Sequence, residues 1–280
     1  MILIDFNGVV IGHIVMAKEA ITEGLVRHII LNTLRMHNKK FRDQYGSMVV
    51  CLEGVGNWRK RHYPQYKANR KASRETDGLD WDEIFRLITM VQGEIRENLP
   101  WYVIQVNECE ADDVIAQIAL TTQEFGQFED VMIVSSDKDF LQLQEGNNTI
   151  KQYCPRFKKY LKQEAKFDLH EHICKGDSSD GVPNIMSGDN VFVEGIRQTP
   201  MMATKIAEFR DKTKMPEEVL RNYLRNEELI NLEKLPVDIK DNILEAWENK
   251  RAASPLKALN YLIKKRCRLL IECVGDFKNA

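Results

Sequence analysis

Three short apolar runs in this chain end at or just before carboxylates. Ile2-Leu3-Ile4 leads into Asp5, Ser47–Leu52 into Glu53, and Val131–Val134 into Asp137 and Asp139. Tyr102–Val106 is a fourth strand-like run, and helical spacing fills the intervals: a broadly amphipathic stretch around 14–38, Trp81, Ile84, Phe85, Ile88 and Val91 within 80–98, and Val114, Ile115, Ile118 and Ala119 after Ala111. Short apolar strands alternating with helices predict an α/β fold, a mostly parallel sheet covered on both faces. After about residue 172 the pattern changes to helical segments with charged faces at 201–210, 216–226, 238–250 and 255–270. The predicted organisation is an α/β domain over 1–172, including a basic segment within 54–98, followed by a helical region over 173–280.

In an open parallel sheet, ligands bind beyond the carboxyl ends of the strands, so Asp5, Glu53, Asp137 and Asp139 are delivered to one edge. Glu110-Ala111-Asp112-Asp113 opens a predicted helix, and Gly176-Asp177-Ser178-Ser179-Asp180-Gly181 is a predicted loop. Each motif alone has a bland explanation: acidic residues cap helix N-termini and populate solvated turns. Together they do not. Two carboxylates about 4 Å apart repel by roughly 4 kcal/mol at an effective dielectric near 20, so several converging on one edge require cations among them. Oxygen ligands select hard ions such as Mg²⁺ or Mn²⁺. A pair of such ions activates water and stabilises an in-line phosphoryl displacement, which makes phosphodiester hydrolysis the expected reaction.

From Arg59 to Arg74 the chain has Arg59, Lys60, Arg61, Lys67, Arg70, Lys71 and Arg74 and no acidic residue, with Trp58, His62, Tyr63 and Tyr66 interleaved. Cations suit phosphates and aromatic faces suit unpaired bases, so the segment is expected to bind a single-stranded 5′ end. With few apolar anchors it is also expected to be mobile without nucleic acid. The net charge of −2 does not oppose this, because setting aside the nine clustered carboxylates leaves a basic remainder. The six cysteines include no Cys-x-x-Cys, which argues against a disulfide framework or a structural zinc site. No apolar run is long enough to span a bilayer and no signal region is evident, so a cytoplasmic protein is expected. His13, His28 and His37 show no triad or metal spacing and read as structural or surface residues.

In this order the motifs resemble the 5′ nuclease (flap endonuclease) family, most closely its bacteriophage ribonuclease H branch. The resemblance rests on Ile4-Asp5-Phe6, Asn57-Trp58-Arg59-Lys60, Tyr66-Lys67-Ala68-Asn69-Arg70, Glu110-Ala111-Asp112-Asp113, Ser135-Ser136-Asp137-Lys138-Asp139-Phe140 and Gly176–Asp180, over about the first 210 residues. It implies a PIN/5′-nuclease-like fold and two Mg²⁺ ions, for which Mn²⁺ substitutes. Asp5, Glu53, Glu110, Asp112 and Asp137 would hold one ion, and Asp139, Asp177 and Asp180 the other, with Asp113 a weaker candidate for either. It further implies that Lys67 and Arg70 contact the scissile phosphate, and that 173–210, including Lys205, grips duplex DNA. The implied activity is 5′-to-3′ exonuclease and flap endonuclease action with ribonuclease H activity. The implied substrates are branched or nicked DNA and RNA–DNA hybrid; the implied contacts are a single-strand-binding protein or sliding clamp, and the implied state a monomer. A non-catalytic DNA-structure binder of the same fold is the alternative, and it would be favoured by missing carboxylates, of which none is found. Two departures stand out. Glu53 occupies a position where the family usually has Asp, and the family's Gly-Ile-Gly-x-Lys-Thr-Ala hairpin is replaced by the longer stretch Asn184–Gln198.

Overall fold

The computed structural model describes residues 1–17, 20–69, 78–124, 128–162 and 167–279. Six strands form one sheet in the order β3-β2-β1-β4-β5-β6. β1 (Ile2–Asp5), β2 (Met48–Leu52), β3 (Tyr102–Gln105), β4 (Val131–Val134) and β5 (Ile150–Cys154) are parallel, and β6 (Lys159–Leu161) returns antiparallel along β5. The chain runs outward from β1 through β2 to β3, then restarts on the other side of β1 with β4. The strand order therefore reverses between β1 and β4, the place where an open α/β sheet leaves a crevice.

Between β1 and β2 lie α1 (Phe6–Val15) and α2 (Glu23–Tyr45), and between β2 and β3 lie the short α3 (Arg59–His62) and α4 (Trp81–Asn98). α5 (Ala111–Thr121) joins β3 to β4, and α6 (Leu169–Lys175), α7 (Ala203–Glu208), α8 (Glu217–Ile230), α9 (Val237–Glu248), α10 (Pro255–Lys264) and α11 (Arg268–Ile271) follow β6. The helix expected over 14–38 is found as α2, displaced toward the C-terminus, and a separate helix, α1, precedes it. α1 starts directly at the end of β1, because the Asp5 carboxylate accepts a hydrogen bond from the Gly8 amide at 3.0 Å and caps it. Gly8 has to be glycine there, since a Cβ would lie 2.1 Å from Asp5 Oδ2.

Period-two alternation sends neighbouring side chains of β1 to opposite faces. Ile2 and Ile4 join a core with α1, α2, α4, α10 and Phe277, whereas Leu3 joins a core with α5 and with Ile239 and Ile243 of α9. The last helices thus clasp the sheet from both sides. A third cluster unites Tyr63 and Tyr66 with Ile173, Ile206, Phe209, Tyr223 and Ile230, tying the basic segment to α6, α7 and α8. The 184–199 stretch folds on Asn184: its amide donates to Gln198 Oε1 (2.7 Å), its Nδ2 to the Thr199 carbonyl (2.8 Å), and its Oδ1 accepts from Ser187 (3.0 Å).

Candidate metal centre and nucleic-acid interface

The carboxyl edge of the sheet, at the β1/β4 reversal, gathers acidic residues from five segments. Asp5 ends β1; its Oδ2 accepts from Ser135 Oγ at 2.7 Å, and the same oxygen of Ser135 accepts from the Asp137 amide at 3.1 Å. Gln152 of β5 in turn holds the Ser135 carbonyl at 3.1 Å. One serine therefore fixes the ends of β1 and β4 to each other. Glu110 and Asp112 enter at the start of α5, and Asp177 and Asp180 on the loop after α6. That loop closes through a bridge between Asp177 and Val182, which Gly176 permits: its φ is +68°, and a Cβ would meet the Val182 and Pro183 carbonyl oxygens at 2.5 Å.

An open cavity of about 440 Å³ is lined by Asp5, Glu53, Asp112, Asp137, Asp177, Asp180 and Lys67. A narrower cleft beside it shares Asp112, Asp137, Asp177 and Asp180 and adds Glu110, Asp139, Arg59 and Tyr66. Eight of the nine sequence-predicted carboxylates thus line one continuous depression. A larger groove of about 1130 Å³, bordered by Arg96, Lys250, Arg251, Lys257 and Lys264, contains none of them.

The charge in this depression is only partly balanced. Burial would raise the Glu110 carboxyl, but the Lys67 ammonium and the Arg59 guanidinium outweigh it, together with hydrogen bonds from Lys67 Nζ and the Tyr66 hydroxyl (2.8 Å), and hold it down at about 2. The same Tyr66 hydroxyl lies 2.7 Å from Asp180 Oδ2, and Lys67 Nζ lies 3.5 Å from it. Elsewhere burial and repulsion prevail. Asp5 is raised by burial, and Asp112 well above its ordinary value by burial and the charges of Asp5 and Asp137. Asp137 faces solvent on one side, yet protein hems in its carboxyl, which desolvation and Asp139 push up to about 6. Carboxylates that resist ionisation without a counter-charge form an oxygen-donor set that fits hard divalent cations.

Residues 1–172 match the family model described as 5′-3′ exonuclease, N-terminal resolvase-like domain, and residues 163–277 match the one described as T4 RNase H, C terminal. The chain belongs to the 5′-3′ exonuclease family. Ribonuclease H of Enterobacteria phage T4 is 31% identical over 294 residues, covering 98% of this chain and 95% of that one. The fold also matches that of the bacteriophage T5 D15 flap endonuclease in its complex with DNA and metal ions (TM-score 0.59, 14% identity, 89% of this chain and 99% of that one). A zinc-bound T5 5′-exonuclease gives 0.60 at 14% identity, covering 89% and 98%. The mostly parallel sheet with a helical C-terminal region is the fold of these 5′ nucleases, and the chain is a nuclease by membership of the family.

Against that background, the structure corrects several residue roles read from sequence. Asp113 points away from the depression. It is fully buried, accepts from Trp58 Nε1 (3.1 Å), Arg59 and the Glu110 amide (2.9 Å), and closes the capping box of α5. Trp58 and Arg59 are buried with it and offer no face to a base or phosphate. Tyr63 donates to the Asp189 carbonyl at 2.6 Å and is buried, as is Tyr66. Burying such side chains stabilises by roughly 1.5–3 kcal/mol each, and stacking on a base returns about 1–3 kcal/mol, so exposing them would gain nothing. Over 58–69 the segment is therefore anchored rather than loose. Lys60 and Arg61 are exposed, Arg61 pairing with Glu108 and with Asp238 at 2.9 Å. Lys205 is exposed and pairs with Glu208 at 2.9 Å. The sequence-predicted Arg70, Lys71 and Arg74 lie outside the described residues.

Four contributors were not singled out from sequence. Ser135 and Gln152 fix the strand ends, Asn7 lines the cavity beside Glu53, and His172 of α6 stands 3.2 Å from Asp139. No spacing rule isolates them. The one available signal for Ser135 is its place between an apolar strand and Asp137.

Proposed function

We propose that this chain is a divalent-metal-dependent 5′-to-3′ exonuclease and flap endonuclease with ribonuclease H activity, removing RNA primers and adjacent DNA during replication. Mg²⁺ would be the natural cation, with Mn²⁺ able to replace it. The observation that carries the reading is the depression lined by Asp5, Glu110, Asp112, Asp137, Asp139, Asp177 and Asp180, in which, among the described residues, Lys67, Arg59 and His172 are the basic groups against them.

Asp5, Glu53, Glu110, Asp112 and Asp137 would hold one ion, and Asp139, Asp177 and Asp180 the second. When bound, the ions supply Lewis-acid activation of water and charge stabilisation for an in-line displacement at phosphorus. The protein's own groups divide the remaining work. Lys67 and Arg59 neutralise Glu110, and Tyr66 keeps Glu110 and Asp180 in fixed relation. Lys67 brings an ammonium to the cavity wall, where it would exchange Glu110 for an incoming phosphate oxygen, and Arg70 would assist it. Lys60, Arg61, Lys71, Arg74 and Lys205 are the proposed backbone contacts.

Branched or nicked DNA and RNA–DNA hybrid are the proposed substrates, and a single-strand-binding protein or sliding clamp the proposed partners of a monomeric enzyme. The test is product sizing from 5′-labelled hybrid, nicked and flapped substrates with Mg²⁺ or with chelator. Short 5′ products that require Mg²⁺ are expected. Binding of flapped DNA without cleavage under both conditions would make the chain a non-catalytic structure binder.

A further inference from the structure

The second cation position differs from the first in one respect: a histidine stands among its carboxylates. One ligand atom each from Asp139, His172 and Asp177 lie within 4.8 Å of one another. Three ligands on one ion at about 2.1 Å stand no more than about 4.2 Å apart, so a small side-chain shift completes the set. His172 Nε2 is 3.2 Å from Asp139 Oδ1, its ion-pair partner, and the nitrogen is shut off from solvent. The ring is walled by Phe167, with centroids 6.2 Å apart. α6 carries His172 and ends at Gly176, and Asp177 follows at once, so one short segment sets both positions. Asp180, the third carboxylate proposed for this ion, is engaged by Tyr66 and Lys67.

We infer that His172 is a nitrogen ligand of the second ion, making that position a mixed Asp139–His172–Asp177 site while the first remains all-oxygen. The inference rests on the two-ion reading above. Its chemical consequence is selectivity. Oxygen donors suit Mg²⁺ and Mn²⁺ alike, but a nitrogen donor adds affinity along the transition-metal series, in which Mn²⁺ is the weakest member and to which Mg²⁺ does not belong. The second position therefore retains Mn²⁺ against Mg²⁺ better than the first.

Pulsed electron paramagnetic resonance on the full chain loaded with Mn²⁺ alone tests this directly, with bound ions counted by equilibrium dialysis. Two Mn²⁺ per chain are expected, one with a ¹⁴N coupling that converts to ¹⁵N when the histidines are ¹⁵N-labelled. His172→Gln should remove the coupling and weaken the second ion by at least the roughly 10-fold that losing even an outer hydrogen-bonding partner costs. Asp177→Asn should lose the same ion and the same coupling. In Mg²⁺ competition the nitrogen-coupled Mn²⁺ should be the last displaced. Two bound Mn²⁺ without histidine coupling would overturn the inference and leave the two-ion reading standing, as would a coupling that survives His172→Gln. Fewer than two ions would bring down both. The labelled wild-type spectrum decides the matter even if a variant folds poorly.

Discussion

Arg59 and Asp113 form a two-pronged ion pair beneath the acidic depression, with Nη2 to Oδ1 at 2.7 Å and Nη1 to Oδ2 at 3.0 Å. The pair also holds Trp58, the Glu110 amide and the Leu229 carbonyl (Arg59 Nε, 2.9 Å), so it joins α3, α5 and α8 at one point. Breaking a buried pair strands the remaining charge. Asp113→Ala should therefore cost about 3–5 kcal/mol of unfolding free energy, measured by urea denaturation. The folded fraction should still bind its full complement of Mn²⁺. Near-wild-type stability with a lost ion would instead make Asp113 a ligand.

Asp112 illustrates the opposite balance. Its carboxyl is raised well above the ordinary value by burial and by Asp5 and Asp137, so its charge opposes folding unless a cation is present. Asp112→Asn should raise the melting temperature of the metal-free protein and shrink the rise produced by Mg²⁺. For the wild type, Mg²⁺ at 100 times its dissociation constant should add about 2.7 kcal/mol. Calorimetry with and without Mg²⁺ measures both. A wild-type melting temperature indifferent to Mg²⁺ would contradict the assigned role of the depression.

Sequence spacing discloses the parts of this architecture that depend on unbroken apolar runs. β1, β2 and β4 are legible because they are buried and almost wholly apolar, β3 because Tyr102, Val103 and Ile104 still form an apolar run, and the acidic residues beyond β1, β2 and β4 follow from strand direction. β5 was not legible, because Lys151 and Gln152 interrupt it; the buried Gln152 spends its amide N–H groups on the Ser135 and Asp137 carbonyls. β6 is a three-residue edge strand with little to bury. α1 escaped notice for a related reason: Gly8, Gly12 and several β-branched residues disguise a helix that tertiary packing and the Asp5 cap impose. The basic segment misled by composition, since Tyr63 and Tyr66 face inward onto α6, α7 and α8, partners distant in sequence, and Trp58 is buried in the core beside α5. His172 carries no spacing signal, because the turn that aligns it with Asp177 crosses a helix end.

Lys67 has an unusual backbone, with φ at +58° and its amide bonded to the Asp180 carbonyl at 2.7 Å. This geometry points the side chain at Glu110. Lys67→Gln keeps a polar, unbranched side chain one atom shorter but removes the charge. If the ammonium stabilises charge developing on the scissile phosphate, kcat should fall by about 10²–10³ while KM changes little. Single-turnover cleavage of a flapped duplex under saturating Mg²⁺ reads this. A loss confined to KM would make Lys67 a binding contact only.

Glu94, outside the acidic depression, has a clear pH signature. Its carboxylate accepts from Arg27 Nε (2.7 Å) and Nη2 (3.0 Å) and from the Tyr261 hydroxyl (2.7 Å), and pairs with Lys265, so α2, α4 and α10 meet on it. Burial would raise its carboxyl, but these partners outweigh burial and hold it at about 2, against an ordinary 4.5. A carboxylate with a depressed folded-state value stabilises fully above its unfolded value, and the contribution disappears as pH falls towards the folded one. The stability difference between wild type and Glu94→Gln should thus be constant above about pH 5 and shrink steadily between pH 4.5 and 2. At neutral pH it should approach the roughly 3 kcal/mol lower bound for breaking a buried pair. Denaturation of both proteins across pH 2–7 measures it. A difference that grows on acidification would mean that the clasp of the C-terminal helices does not depend on this charge.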